Sequence, residues 1–457
     1  MEYHDFLFKK RIEHKPSGFD ADIFNPLMMD WQKACVRWSL FKGKSALFEG
    51  TGLGKTIQSL EWASHVNRHT NKPVLILAPL AVSKQTKREG EKFGYDVNIC
   101  KDSSGLINGI NVTNYEKIKN FNVSDIGGII LDESGILKDF AGKTRNYLIE
   151  VFSKTPYKLC ATATPSPNDY TELGGTSHFL NIMTRSEMLS MFFVNDTKDT
   201  GNWRLMGHVK DHRFWEFVSS WALMISSPYD IGFDGSMYDL PDLIYHNHVI
   251  PYSGENSSLF VEPAKTMLER NQARKESLKE RCVRAAEVVN SSTDNHIVWC
   301  NLNDESSELK RLIKDCVEVK GSDSEIHKEQ SMLDFQDNKI KVLITKPSIC
   351  GHGMNWQNCN NMSFVGLSDS FEEMYQAVRR CWRFGQKKQV HVNIITGERE
   401  GLVVENIKRK ERDMEIMKSG MISHMKEIMR KDILKTTRNE TKYETKTKMN
   451  IPSFIRG

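Results

Sequence analysis

The run Glu49-Gly-Thr-Gly-Leu-Gly-Lys-Thr56 brings three glycines, a lysine and two hydroxyls into one short stretch. Small residues let successive backbone N–H groups turn inward around anionic oxygens, and a helix that follows presents its positive end to the same anion. Gly50, Thr51, Gly52, Leu53 and Gly54 would form the cradle of a nucleotide. Lys55 would reach the β- and γ-phosphates, and the Thr56 hydroxyl would ligate magnesium. The strict pattern wants glycine where Glu49 stands, and a chance glycine turn is the competing reading. Downstream, Leu131-Asp-Glu-Ser134 places two carboxylates after an apolar run. Asp132 could hold the metal there, and Glu133 could orient or deprotonate an attacking water. Alone, such a pair would be a turn or a helix cap.

Three further segments carry chemistry only in company. Gln376-Ala-Val-Arg-Arg-Cys-Trp-Arg-Phe-Gly-Gln386 is rich in arginine, and on a helix Gln376, Arg379 or Arg380, and Arg383 share a face. Arginines aimed across a cleft would stabilise charge on a transferring phosphoryl group; a solvated basic helix is the alternative. Ala161-Thr-Ala-Thr-Pro-Ser166 is small and hydroxylic. It reads as a turn, or as two threonines, Thr162 and Thr164, joining the γ-phosphate region to a bound strand. Gly351-His-Gly-Met-Asn355 permits close backbone approach, or is an ordinary glycine turn.

The elements that position these residues follow from periodicity. Ser45–Glu49 is a buried-strand run and Ile57–Ala63 has helical spacing, so the glycines occupy a strand-to-helix turn. Short apolar strands at Val74–Ala78, Ile126–Leu131 and Tyr157–Ala161 alternate with polar helical stretches, which predicts a parallel α/β sheet. Residues 177–240 break that rhythm with Met, Phe and Trp at helical spacing and predict a helical insertion. A second series, Tyr238–Ile250, His296–Cys300, Val317–Lys320, Ile340–Thr345, Met362–Gly366 and Val390–Ile395, predicts another sheet of similar size. From about residue 403 the pattern is helical, with Met414, Met417, Met421, Met425 and Met429 on one stripe that reads as core before partner surface. Thr436–Lys448 is polar and reads as flexible.

Bulk properties bound the rest. A chain of 457 residues exceeds one ordinary core, so two or three domains are expected. No apolar run approaches the roughly 20 residues that cross a bilayer, and the amino terminus mixes both charge signs, which argues against a membrane anchor or secretory signal. Nine scattered cysteines without close pairs read as reduced thiols of a cytoplasmic protein. The net charge is only +4, and residues 402–450 hold 13 Lys/Arg against 8 Asp/Glu, which accounts for that excess. Nucleic-acid binding would therefore need a local groove.

In this order, the motifs resemble those of the Swi/Snf-type branch of the superfamily 2 helicase-like ATPases, and most of all its compact bacteriophage-encoded members. The resemblance implies two tandem RecA-like parallel-sheet domains with a helical insertion and a carboxyl-terminal helical extension, divided as 1–240, 241–402 and 403–457. It implies ATP and magnesium as ligands, Gln32 in the adenine-reading position, and nucleotide contacts from Gly353 and Gln376 beside the finger arginines Arg380 and Arg383. Pro79 and Leu80, Thr113 and Asn114, and Thr162 and Thr164 fall on motifs that touch the nucleic-acid backbone. The missing first glycine at Glu49 is a family habit. Gly135 stands where the family has a histidine, and Arg379 stands where chromatin remodellers carry aspartate. The implied activity is that of a monomeric, DNA-dependent ATPase translocating on duplex DNA in the host-cell cytoplasm. A strand-separating helicase and a non-motor nucleotide-regulated clamp are the alternatives.

Overall fold

In the computed structural model, residues 15–79, 82–195, 203–206, 213–252, 266–350 and 354–433 are described. Leu80, Gly353 and the segment Thr436–Lys448 lie outside these. The strands are β1 Lys44–Glu49, β2 Val74–Ala78, β3 Val97–Ile99, β4 Ile110–Asn114, β5 Gly128–Asp132, β6 Tyr157–Thr162, β7 Phe193–Asn195, β8 Trp203–Leu205 and β9 Ala222–Ile225. They continue with β10 Leu243–Ile250, β11 His296–Cys300, β12 Cys316–Glu318, β13 Val342–Thr345, β14 Asn361–Val365 and β15 Val390–Gly397. Two sheets result, ordered β3-β4-β2-β5-β6-β1-β9 and β10-β15-β14-β11-β13-β12, with a small β7-β8 hairpin apart. Every pairing within the two large sheets is parallel. The fold is a pair of tandem RecA-like domains.

All-parallel pairing puts every strand's carboxyl end on one edge, and ligands of open α/β sheets bind there. Register then decides which chemistry meets. Phe48 pairs with Thr162 and Asp132 with Ala161. The glycine loop after β1, the carboxylates after β5 and the threonines after β6 are therefore neighbours. The strands are buried on both faces, as their continuous apolar runs require.

Residues 177–240 contain helices, at Arg185–Phe192 and Arg213–Ser219, around a tight aromatic cluster of Phe192, Phe193, Phe214 and Phe217. They also supply β9, which pairs with β1 and closes the sheet. The helical insertion that spacing predicts therefore holds strands beside its helices. Ala222-Leu-Met-Ile225 has only four residues and follows helically spaced aromatics without a turn signal, so periodicity alone cannot separate it from the helix before it.

The helix Gly401–Ile433 spans both domains. Val403 and Ile407 are buried in the second core, whereas Met417 and Met421 are fully buried in the first. Gly420 packs so closely on Trp215 that a β-carbon would sit 3.2 Å from the indole nitrogen, and Tyr170 donates its hydroxyl hydrogen to the Asp413 carbonyl at 3.3 Å. The described part of the methionine stripe is core, as the sequence suggests, but core of the domain it does not follow in the chain. Among the described residues, eight cysteines are free and buried. No helix among the described residues is long and apolar enough to cross a membrane.

A buried ionic network braces the second domain. Arg281 pairs with Glu305 at 2.8 Å, both wholly inaccessible, and Arg274 joins Glu400 at 3.2 Å. Arg281 donates to the Arg274 carbonyl at 2.6 Å, and Arg274 to the Leu367 carbonyl at 2.5 Å. The end of β14 is thus tied to the start of the long helix. Arg281→Met leaves the buried Glu305 carboxylate without its counter-charge, which costs about 3–5 kcal/mol. Denaturant unfolding followed by a second-domain tryptophan such as Trp299 is expected to show a midpoint lowered accordingly; an unchanged midpoint would contradict this role.

Candidate functional site: a nucleotide cleft between the sheets

The loop after β1 is built as its composition demands. Gly52 and Gly54 have φ of 94° and 85°, a left-handed backbone that glycine adopts without steric cost. The helix Lys55–Thr70 starts at Gly54 with no side-chain cap, so its first N–H groups keep their capacity for an anion. The Lys55 ammonium donates to the carbonyls of Glu49 at 3.0 Å and Gly50 at 3.3 Å. Gln32 is buried beside the loop: its Oε1 accepts from the Met29 N–H at 3.1 Å and its Nε2 donates to the Leu53 carbonyl at 2.9 Å. A β-carbon on Gly54 would collide with that amide. One amide hydrogen of Gln32 thus braces the loop. Thr51 Oγ1 is buried without a partner.

Asp132 ends β5, and burial pushes its carboxyl up to about 7, with Glu133's charge adding and Lys55 opposing. A carboxyl lifted this way gains from a cation, and Asp132 with the Thr56 hydroxyl is a hard oxygen donor set of the kind magnesium takes. Among the described residues no cluster of three or more His, Cys, Asp or Glu could hold a metal without other donors. Glu133 has φ 55°, left-handed for a residue with a side chain. Such strain persists where its surroundings fix it, and it concentrates at reactive sites. Tyr115, a residue whose type and spacing do not single it out, donates its hydroxyl hydrogen to the Asp132 carbonyl at 2.8 Å.

The second domain brings the arginines. The helix Phe371–Val378 stops before them, so Arg379, Arg380 and Arg383 do not share a helical face as their spacing suggests. After Val378 the backbone tightens into three-residue turns, Arg380 N–H to Ala377 and Cys381 N–H to Val378, each at 3.2 Å. Gln386 holds the loop by donating to the carbonyls of Cys359 at 2.9 Å and Cys381 at 3.2 Å. Burying Cys381, which is fully inaccessible, is incompatible with a solvated helix there. Arg380 donates to Gln376 Oε1 at 3.0 Å and to the Met354 carbonyl at 3.2 Å; Arg383 donates to that same carbonyl at 3.3 Å. Sequence reasoning misses Met354, because a backbone carbonyl leaves no trace in residue type. Arg379 stacks over Trp382, 4.2 Å from its ring centre.

Both finger candidates are pushed down to about 10, chiefly by burial. Repulsion from Arg383 adds to the shift of Arg380, while Glu133 opposes it. Among the described residues neither forms a salt bridge, and Arg383 Nε is buried without a partner. Two desolvated cations with neutral acceptors make a strong electrostatic demand for an anion. The phosphate loop is adjacent: a β-carbon on Gly52 would lie 3.1 Å from Phe384 N and 3.7 Å from Arg383 Cβ. The residues fit a nucleotide.

The candidates for nucleic-acid contact are placed differently. Pro79 follows β2 at the sheet edge and is half-buried. Thr113 and Asn114 are buried at the end of β4, where Asn114 Oδ1 caps the Lys117 N–H at 3.2 Å, so neither side chain is presented to a bound strand. Thr162 and Thr164 are buried too, and their hydroxyls donate to Glu133 at 3.3 Å and Glu372 at 3.2 Å. They join the carboxylate after β5 to the other domain and not to the surface.

This arrangement defines a tandem RecA-like ATPase core. The model of the SNF2-related domain matches residues 31–196, and that of the helicase conserved C-terminal domain matches residues 278–385. The chain belongs to the Swi/Snf-type superfamily 2 helicase-like proteins. A relative, protein p41 of Acyrthosiphon pisum secondary endosymbiont phage 1, is 22% identical over 411 residues, covering 76% of this chain and 87% of p41. Among solved structures, Saccharomyces cerevisiae Dbp5 bound to RNA and ADP BeF3 matches 88% of this chain and 93% of its own at a TM-score of 0.53 and 12% identity. The Sulfolobus solfataricus SWI2/SNF2 ATPase core in complex with dsDNA matches 92% and 98% at 0.41 and 18%.

Glu49 stands beneath the loop and is wholly buried; its carboxyl is pushed up to about 7 by burial, while Lys55 and the Gln58 amide at 2.8 Å pull it down. An acid whose folded pKa is raised binds its proton more tightly when folded, so its contribution is present at low pH and lost as pH rises through about 7. Glu49→Gln cannot titrate, and each tenfold difference in proton affinity between folded and unfolded chain is worth roughly 1.4 kcal/mol. The variant is therefore expected to hold its melting temperature better than wild type as pH rises from about 5 to about 8. Parallel profiles of the two proteins would refute the assignment.

Proposed function

We propose that this protein is an ATP-driven translocase on double-stranded DNA, hydrolysing ATP in the cleft between its two sheets and working as a monomer in the host-cell cytoplasm. The observation that carries the hydrolytic part is the approach of the arginine loop to the glycine loop, with Arg380 buried, Arg383 half-buried and neither in a salt bridge among the described residues. The SNF2-related family match supports duplex DNA over RNA. Magnesium, when bound, would neutralise charge on the phosphates, and Thr56 and Asp132 would hold it. Lys55 and the N–H groups of Gly50–Gly54 bind and orient the phosphates. Glu133 accepts the proton of the attacking water, and Arg380 and Arg383 stabilise the charge that develops on the transferring group. Because those groups come from two bodies, hydrolysis requires closure, and product release permits reopening. With each domain holding the phosphodiester backbone, one such cycle advances one domain relative to the other.

Backbone contacts imply little sequence preference and strong salt dependence. ATP hydrolysis measured with duplex DNA, single-stranded DNA, forked DNA and RNA is expected to be stimulated most by duplex DNA. Displacement of a triplex-forming third strand is expected without duplex unwinding. Lys55→Ala and Glu133→Gln should each lower stimulated turnover by at least about 100-fold, the scale of a lost acid–base or phosphate-binding group. Normal turnover in either variant rejects the site; preferential fork or RNA stimulation with strand separation rejects duplex translocation.

A further inference from the structure

Glu372 belongs to the second domain, in the first turn of the helix Phe371–Val378, yet its carboxylate is engaged by the first. One oxygen pairs with the Lys138 ammonium, and the other accepts a hydrogen bond from Thr164 Oγ1 at 3.2 Å. Residue 135 makes this possible: a β-carbon on Gly135 would lie 3.0 Å from Glu372 Oε1, so a side chain there would compete for the space. The contact then continues inward. The Thr164 N–H donates to Thr162 Oγ1 at 3.2 Å, and Thr162 Oγ1 donates to Glu133 Oε2 at 3.3 Å. A hydrogen-bonded chain thus runs from Glu133, through two buried threonines, to a carboxylate that only the other domain can deliver.

Another charge contact crosses between the domains, from Lys84 and Arg88 to Glu329 at 2.9 and 3.6 Å, and it offers a useful contrast. Lys84 and Arg88 are 70% and 61% exposed, whereas Lys138 and Glu372 are 33% and 22% exposed. Water and salt screen the outer pair, and among the described residues no hydrogen bond runs from it to the cleft. The inner pair is better shielded and ends on a buried hydroxyl, so its formation carries a geometric consequence at Glu133.

We infer that Glu372 is a positioning residue: an interdomain latch that fixes the orientation of Glu133, through Thr164 and Thr162, only while the two domains are together. This rests on the reading of Glu133 as the group that accepts the water's proton. With the latch open, Thr164 loses its acceptor and the Glu133 carboxylate keeps a strained backbone with less to hold its side chain. Nucleic acid that favours the closed arrangement then raises turnover by setting the base as well as by delivering the arginines.

The test uses the full chain, with ATP hydrolysis measured with and without duplex DNA. Glu372→Ala is expected to lower the stimulated kcat about tenfold, the scale of coupling between linked sites. The KM for ATP should move little, because no proposed nucleotide contact is altered. The charge-reversed pair Lys138→Glu with Glu372→Lys keeps the attraction, and the new ammonium can donate to Thr164 Oγ1. It is expected to regain stimulation that Lys138→Glu alone loses, which also covers the case of a poorly folded Glu372→Ala. Thermal unfolding of each variant separates folding from coupling. Stimulation of a folded Glu372→Ala equal to wild type, or equal rates for the reversed pair and Lys138→Glu, overturns the latch while leaving the ATPase intact. A wild-type protein stimulated by no nucleic acid overturns the latch and the motor reading together.

Discussion

Two guanidinium groups, that of Arg380 buried and that of Arg383 half-buried, with carbonyl and amide oxygens as their close acceptors among the described residues, are the constraint around which this molecule is arranged. Each costs several kcal/mol to desolvate, and neutral acceptors return only part of that. The surrounding loop is accordingly over-determined. Met354 gives one carbonyl to both arginines, Gln376 holds Arg380 from the preceding helix, and Gln386 fastens the loop from beyond its turn. Such bracing keeps two like charges in place, and the remaining electrostatic deficit is one that a phosphate chain on the facing loop would fill. Removing the charges would spare the second domain that desolvation cost and, on the proposed reading, deprive the cleft of its phosphate-stabilising groups.

A cleft completed by two bodies also needs a way to keep those bodies within reach. The long carboxyl-terminal helix supplies it, since Val403 and Ile407 are anchored in one core and Met417 and Met421 in the other. At about 1.5 Å per residue, the span from Val403 to Met421 is roughly 27 Å, comparable to a domain's breadth. Methionine suits the far anchor: an unbranched thioether tolerates small displacements that a β-branched side chain would resist. Tight packing of Gly420 on Trp215 then pins the helix against the first domain.

Much of this was legible from residue types. Glycines at fixed offsets, apolar strands of four to six residues and paired carboxylates after a strand each have a local physical cause, and the sheets, the loop and Asp132 stand where those causes put them. What could not be read depends on contacts between distant segments. Arg380 and Arg383 have helical spacing, but burial of Cys381 and the side-chain bonds of Gln386, both tertiary facts, end the helix at Val378. The strand Ala222–Ile225 exists because β1 offers it an edge, not because four apolar residues prefer extension. Thr113 and Asn114 have the surface hydroxyl and amide chemistry that suits a phosphate, and their burial follows from strand register that composition does not encode. Met354 and Tyr115 act on or through backbone carbonyls, which are the same in every residue.

Gly135 shows how an absence can be informative once geometry is available. In sequence it is only a departure from the residue the family resemblance calls for, and a missing side chain suggests a missing function. In the fold it is the space through which Glu372 enters, and the hydroxyls of Thr162 and Thr164 turn toward that carboxylate from one side and toward Glu133 from the other. A side chain carried by the first domain would occupy this position whether the cleft were open or closed. A carboxylate carried by the second domain occupies it only on closure. Substituting one for the other converts a fixed brace into one that depends on domain position, and on the proposed reading the Glu133 carboxylate becomes sensitive to the same motion that would bring the arginines to the phosphate loop.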